Sequence, residues 1–284
     1  MYIPLALLSA LFSALTAIFG KKALKGIGSH AATFLRTGMI LVYVWVFAIA
    51  IGAHKQLGSL QAESIWFLLL SGAATGGSWL CYYKALSLGE VSRVTAVDKS
   101  SILLTMIFGM TVLGESVTVW KILGLVCIAA GTFLMLGKVS RQSGTNVQSL
   151  LLAAASAVLA ALTSILAKVG LREVDANLGT AIRTAVVFVF AGLMLLPKSR
   201  RAALQTVKKN SLGLLGLSAL ATTLAWLCYF NALRLGEASI VAPLDKLSTV
   251  MTIGLSIWLL KEKATTHLLA GAGVVTAGAV LTLF

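Results

Sequence analysis

Apolar runs of about 20 residues, separated by short polar gaps, recur along the whole chain. A helix rises about 1.5 Å per residue, so roughly 20 apolar residues span the ~30 Å hydrocarbon layer of a bilayer. Ten such segments are predicted, approximately Pro4–Gly20, Ala31–Gly52, Ser64–Leu86, Arg93–Leu113, Val117–Gly137, Val147–Ala167, Ala176–Leu196, Ser211–Leu233, Ser239–Leu260 and Ala264–Phe284. The stretch Met1 to Gly20 lacks the basic start of a signal peptide and reads as the first membrane helix. No gap accommodates an extramembrane domain, and Lys138–Asn146 is the one linker-like stretch.

The pattern is duplicated. Residues 1–137 align on 148–284 without a gap, with roughly thirty identical positions. Trp79-Leu-Cys-Tyr-Tyr-Lys-Ala-Leu-Ser-Leu-Gly-Glu90 recurs as Trp226-Leu-Cys-Tyr-Phe-Asn-Ala-Leu-Arg-Leu-Gly-Glu237, and Asp98-Lys99 as Asp245-Lys246. The expected division is a first five-helix repeat (1–137), a linker (138–147) and a second five-helix repeat (148–284). Because five is odd, the second repeat enters the membrane from the opposite side, which makes the repeats inverted.

Composition agrees with a membrane protein. Hydrophobic residues make up 58% of the chain, charged residues 11%, and the mean hydropathy is +0.96. The formal charge of +14 lies mostly in the short gaps, where it reads as an orientation signal facing anionic lipid rather than as a nucleic-acid surface. Thirteen basic residues fall in the gaps after odd-numbered segments and five after even-numbered ones, which points the odd loops to the cytoplasm and both termini outside. Cys81, Cys127 and Cys228 offer no disulfide framework, and His30, His54 and His267 stand apart, so neither metal nor other cofactor is expected.

Charges within the segments need a partner or a purpose, since insertion into the bilayer centre costs about 2.5–3.5 kcal/mol each. Arg36 and Asp98 lie about 8–9 Å into segments that start on the same side, which predicts an ion pair, mirrored by Arg183 and Asp245. Lys99 and Lys246 accompany the two aspartates. These groups serve either as staples between helices or as gates, one per leaflet. Lys84 either snorkels to the interface or faces a cavity, where it would favour a carboxylate or phosphate. Its counterpart is Asn231, and Tyr83 has Phe230.

Trp79, Tyr82 and Tyr83 share one helix face, as do Trp226, Tyr229 and Phe230, and each face fits an interfacial belt or a cavity wall. Pro243 predicts a bend beside Asp245, Gly72, Gly76, Gly124, Gly131, Gly271 and Gly278 predict close helix packing, and Glu115 and Glu262 read as solvated loop charges.

Together these features resemble the drug/metabolite transporter superfamily, in its EamA-type branch of ten helices. The resemblance rests on the repeat, on Ala17-Ile18-Phe19-Gly20-Lys21 followed by Arg36, on Tyr82-x-x-Ala85-Leu86 with Tyr229-x-x-Ala232-Leu233, on Pro243, and on Glu115 with Glu262. It implies an all-α membrane protein with a cavity between the halves. Thr16, Trp79, Tyr82, Tyr83, Thr163, Trp226, Tyr229 and Asn231 are then candidate lining residues, with Lys84 added by its charge.

The function expected is secondary transport, as an exporter in a bacterial inner membrane, of a small polar, zwitterionic or anionic metabolite such as an amino acid. The partners are that solute and the bilayer, with no nucleic acid and with a homodimer left open. A flippase for a lipid-linked sugar or phosphate is the nearest alternative. An intramembrane enzyme is disfavoured because no nucleophile or metal set shares one depth, and a non-transporting scaffold because it leaves the buried charges without a purpose.

Overall fold

The structure is a computed structural model that describes residues 1–23, 29–136, 147–197, 201, 204, 207, 209–261 and 265–284. The expected linker, Lys138–Asn146, lies outside the described residues, as does Glu262. Eleven helices are described: α1 (Tyr2–Ala23), α2 (Ser29–Ala50), α3 (Ala62–Leu88), α4 (Val91–Lys99), α5 (Ser101–Val112), α6 (Val119–Leu136), α7 (Val147–Gly170), α8 (Ala176–Leu193), α9 (Lys209–Leu235), α10 (Ala238–Leu260) and α11 (Thr266–Leu281). A short 3₁₀ helix, Ala53–Ser59, links α2 to α3.

Among the described residues eight helical stretches are long and apolar enough to cross a bilayer, one of them Arg93–Val112 across the α4–α5 junction, and α6 and α11 are shorter apolar helices. The molecule is turned inside out relative to a water-soluble bundle. Val42, Val46, Val119, Val126 and Phe133 stand 56–71% exposed on the outside. The interior is instead rich in small and hydroxylic side chains, among them Ala10, Ala14, Ser71, Thr75, Ala153, Ser156 and Ala161. In lipid, burying a leucine against a second helix gains little over burying it in acyl chains, so close backbone approach and interhelical hydrogen bonds hold the bundle.

The α6–α11 pair shows why glycine is needed there. A Cβ at Gly131 would sit 2.8 Å from the Gly271 carbonyl oxygen, and one at Gly124 would sit 2.7 Å from that of Gly278. The remaining helices pack across the repeats: α1 against α9 and α10, and α7 against α3 and α4–α5. Adding 147 to every number of the first repeat converts one set of contacts into the other. The halves are therefore related by a pseudo-two-fold that exchanges them.

The helix expected to bend at Pro243 runs unbroken from Ala238 to Leu260. The helical path is interrupted instead in the other half, at Ser100, whose N–H and hydroxyl both donate to the Val97 carbonyl, at 3.1 and 2.6 Å. A side-chain hydroxyl that competes for a backbone carbonyl can divide a helix that carries no proline.

Candidate functional site

A cavity of about 420 Å³ lies between the halves. Its walls come from α1 (Ser9, Ser13, Thr16), α3 (Thr75, Trp79), α5 (Ser101, Thr105), α7 (Thr163, Ser164), α9 (Thr222, Trp226, Tyr229, Phe230) and α10 (Asp245, Lys246), with Arg36 and Arg183 reaching in from α2 and α8. Hydroxyls clasp the helices around it in symmetric pairs. Ser71 donates to the Thr163 carbonyl at 2.7 Å and Ser218 to that of Thr16 at 3.1 Å. The Thr75–Thr163 and Thr16–Thr222 hydroxyl pairs are each 3.2 Å apart.

The two expected ion pairs are not formed. Among the described residues no salt bridge joins Arg36 to Asp98 or Arg183 to Asp245. Each carboxylate instead accepts from a serine of the opposite repeat: Asp245 from Ser9 at 2.5 Å and Asp98 from Ser156 at 2.7 Å. Depth along a helix axis, the basis of the expected pairing, does not fix the face on which a side chain leaves its helix.

Arg183 is 2% exposed and spans α8 to α3. Its Nε donates to Ser71 at 3.3 Å and its Nη2 to Thr75 at 2.7 Å, while the guanidinium lies 4.1 Å from the Phe230 ring centroid and 5.7 Å from that of Trp226. Hydroxyl oxygens and π-faces thus replace a counter-charge. The approach of α3 depends on Gly72, where a Cβ would meet the Arg183 carbonyl oxygen at 2.6 Å. Arg36 makes no equivalent bonds to Ser218 and Thr222; it is half-buried and lines both the central cavity and a second cavity of about 210 Å³.

That second cavity is bounded by Gly20, Ser29, Ala32, Thr33, Tyr83 and Leu215. The corresponding positions at the other end of the molecule, Ala167, Ala176, Gly179, Thr180, Phe230 and Leu68, are all buried. Ser29 is exposed and Tyr83 partly exposed where Ala176 and Phe230 are buried, so the end near Arg36 is the more open of the two and the other the more closely packed.

Polar ties between the repeats reinforce the packed end. Glu115, far from being a solvated loop charge, has a side chain only 5% exposed and binds Lys168 at 2.8 Å. Its oxygens accept from the Ala238 and Ser239 N–H groups at 2.6 and 2.8 Å, so it caps the start of α10 from the other repeat. Burial pushes the Glu115 carboxyl up, but the hydrogen bonds from Lys168 and Ser239 outweigh it and hold the group below its ordinary value. Lys121 binds Glu237 and the Ser116 carbonyl, and Gln61 binds Glu173 at 2.6 Å.

Of the residues singled out as substrate-binding, the structure brings Thr16, Trp79, Thr163, Trp226 and Tyr229 together at the central cavity, and Tyr83 at the second one. The aromatic faces of α3 and α9 are cavity walls at Trp79 and Trp226 rather than an interfacial belt. Three candidates fall elsewhere. Tyr82 pairs its hydroxyl with Thr95 at 3.3 Å, Asn231 donates to Asn177 at 2.9 Å and to the Leu227 carbonyl, and Lys84 is exposed and lines none of the three cavities described.

The polar lining residues that sequence reasoning missed are hydroxyls: Ser9, Ser13, Thr75, Ser101, Thr105, Ser164 and Thr222. A signal was present, since Ser9 and Ser156, Ser71 and Ser218, and Thr75 and Thr222 are identical across the repeat. Single hydroxyls in apolar helices are common, and only their joint recurrence marked them.

The profile of the EamA-like transporter family matches residues 1–137 and again 148–284. The chain belongs to the EamA-like transporter family. Within the bacteria it is 44% identical over 130 residues to an uncharacterized transporter in the cobO 3′ region of Sinorhizobium sp., a match covering 46% of this chain and 92% of that protein. It is 31% identical over 165 residues to the uncharacterized transporter YvbV of Bacillus subtilis (strain 168), covering 58% of this chain and 54% of that protein. A solved crystal structure superposes with a TM-score of 0.78 over 99% of this chain and 95% of its own, at 17% identity, a likeness of fold alone. An EamA-like chain of this composition is a membrane transporter.

Proposed function

We propose that this transporter carries a small polar organic solute with a carboxylate, zwitterionic like an amino acid or anionic, by alternating access through the cavity between its repeats, and exports it across a bacterial inner membrane. The observation that carries this reading is the pairing of charge signs in one enclosed space. Arg36 and Lys246 offer cations, Asp245 an anion, and Trp79 and Trp226 flat apolar walls. A volume of about 420 Å³ falls within the ~300–1,000 Å³ range of small-molecule sites. Carboxylate to Arg36 and ammonium to Asp245 satisfies a zwitterion without leaving either buried charge alone.

Access alternates by exchange of the arginine contacts. In the state described, Arg183 holds Ser71 and Thr75, and the end around Arg36 is the more open. In the reversed state Arg36 takes Ser218 and Thr222, and Arg183 lets go. The charge bias of the loops puts the more open end in the cytoplasm, where an exporter loads.

Proteoliposomes preloaded with unlabelled amino acids or organic acids, and tested for exchange with labelled solute, examine this directly. Saturable exchange of carboxylate-bearing solutes, reduced about tenfold or more by Arg36→Gln, is the expected outcome, because a hydrogen bond to a charged group contributes about 1.5–3 kcal/mol. Exchange confined to organic cations or neutral sugars would overturn the substrate class.

A further inference from the structure

A third cavity of about 460 Å³ adjoins the central one and shares Ser13 and Lys246 with it. Two lysines line it, Lys99 at the end of α4 and Lys246 in α10. They are equivalent positions in the two repeats, they share the wall of this one cavity, and both are half-buried. Neither has a hydrogen bond or salt bridge among the described residues. The aspartates beside them in sequence hydrogen-bond Ser156 and Ser9, so they offset the lysine charges only through space and leave the ammonium groups without a bonded partner. Two like charges held together in part-buried surroundings repel, and an anion between them removes the cost.

The rest of the lining decides what kind of anion. Ser13 of α1, Thr132 of α6, and Ser248, Thr249 and Thr252 of α10 supply hydroxyls, whereas Met135 of α6, Ile253, and Leu268 and Val275 of α11 form an apolar wall. Both cavities carry hydroxyls, but the surface of this one is the more apolar. The geometry points to a second, amphipathic subsite: an oxyanion, carboxylate or phosphate, held between Lys99 and Lys246 with an attached apolar group against α6, α10 and α11. This rests on the transport reading above and narrows it from small carboxylates to those with an apolar body.

The same site depends on the access state. At the other end, Ile102, Thr105, Met106, Lys121, Ile128 and Thr282 occupy the positions equivalent to Thr249, Thr252, Ile253, Leu268, Val275 and Met135, and all are buried. Here all but Val275 are partly exposed, so the seam is the more open at this end. Because the pseudo-two-fold interchanges Lys99 and Lys246, the lysine pair is the part of this subsite that both states keep, and the apolar wall changes sides around it.

The test uses the full chain purified in detergent. Phenylacetate, its neutral counterpart phenylacetamide and the cation phenethylamine are compared in thermal unfolding, and a diazirine-bearing benzoate is photo-crosslinked to the wild-type protein and mapped by mass spectrometry. We expect a saturable stabilisation by phenylacetate alone, a loss of about tenfold or more in apparent affinity in Lys99→Gln and Lys246→Gln with recovery in Lys99→Arg, and labelling on α10 and α11. Nanodiscs with phosphatidylglycerol in place of phosphatidylcholine separate the sources: stabilisation by that lipid, lost in the same variants, assigns the oxyanion to a lipid headgroup at the same subsite. Equal stabilisation by the amide or the amine overturns the proposal, as does labelling confined to α3 and α9. If phenylacetate binding survives both lysine variants and is lost in Arg36→Gln, this subsite is wrong and the central carboxylate site stands. Loss of exchange for every carboxylate in proteoliposomes, with the lysine-dependent binding intact, has the opposite meaning. The position of the wild-type label separates the two sites even where a variant fails to fold.

Discussion

Arg36 and Arg183 occupy equivalent positions in the two repeats and both reach the central cavity, but Arg36 also lines a second cavity, whereas Arg183 is bonded to Ser71 and Thr75 and lies against Trp226 and Phe230. Near Arg36, Ser29 is exposed and Tyr83 partly exposed beside a cavity; near Arg183 their counterparts Ala176 and Phe230 are buried. The difference teaches that near-identical helices pack in two ways within one molecule, and that the sequence tilts the choice. Tyr83 is matched by Phe230 and Ser29 by Ala176, so the packed end is the more apolar. The tie of Lys121 to Glu237 has no equivalent, because Leu268 stands where a second lysine would be. A bias of a few kcal/mol is enough to make one state dominant while leaving the other reachable.

The largest effect that could break this comparison is in accessibility. With the native cysteines replaced by alanine, Ser29→Cys should react with a water-soluble maleimide about a hundredfold faster than Ala176→Cys, since Ser29 is exposed and a thiol at the fully buried position 176 reacts only through rare opening of the packed end. Adding Arg183→Ala should bring the two rates within about threefold, by removing the bridge from α8 to α3. Equal rates in the unaltered background would mean that the two ends do not differ.

A smaller effect concerns stability. Glu115→Gln should lower unfolding stability by about 1.5–3 kcal/mol at neutral pH, the range for hydrogen bonds to a charged group, measured by denaturant or thermal unfolding. The folded carboxyl sits below its ordinary value of about 4.5, so its contribution is present above that pH and is lost as the pH falls through the depressed folded value. The wild-type protein should therefore lose stability on acidification below about pH 4.5 more steeply than Glu115→Gln. Parallel curves would show that Glu115 does not tie the packed end.

Between the arginines, Arg36→Gln should leave unfolding stability within about 0.5 kcal/mol, because among the described residues its side chain holds no hydrogen bond to lose. The smallest effect is that of Lys84→Met, which should leave exchange in proteoliposomes within about twofold of wild type, since the group is exposed and outside the cavities. A large loss there would restore Lys84 to the substrate path.

Much of the architecture was legible in the chain. The helix limits fall within a few residues of the apolar segments, and Thr16, Trp79, Thr163, Trp226 and Tyr229 were identifiable as lining residues. The partners of the charges were not. Arg36 and Asp98 share a depth, but their side chains leave α2 and α4 in directions set by how those helices pack on α7 and α9. Glu115 lies in a short loop beside Gly114, a setting that reads as solvated until the start of α10 is placed against it. Lys84 and Asn231 drew attention as mismatches between the repeats, although a mismatch marks a difference between the ends and carries no direction toward the cavity.

By itself the sequence determined that this protein lies in a membrane, that it consists of two related halves, and which polar groups must be satisfied inside it. Hydropathy, length and a gapless repeat are local or periodic properties, and they survive without coordinates. Only the tertiary structure decided which end is the more closely packed, which hydroxyl answers which charge, and that Lys99 and Lys246 share a cavity. Those are long-range pairings, and two packings of nearly the same helices differ in free energy by too little for residue types alone to choose between them.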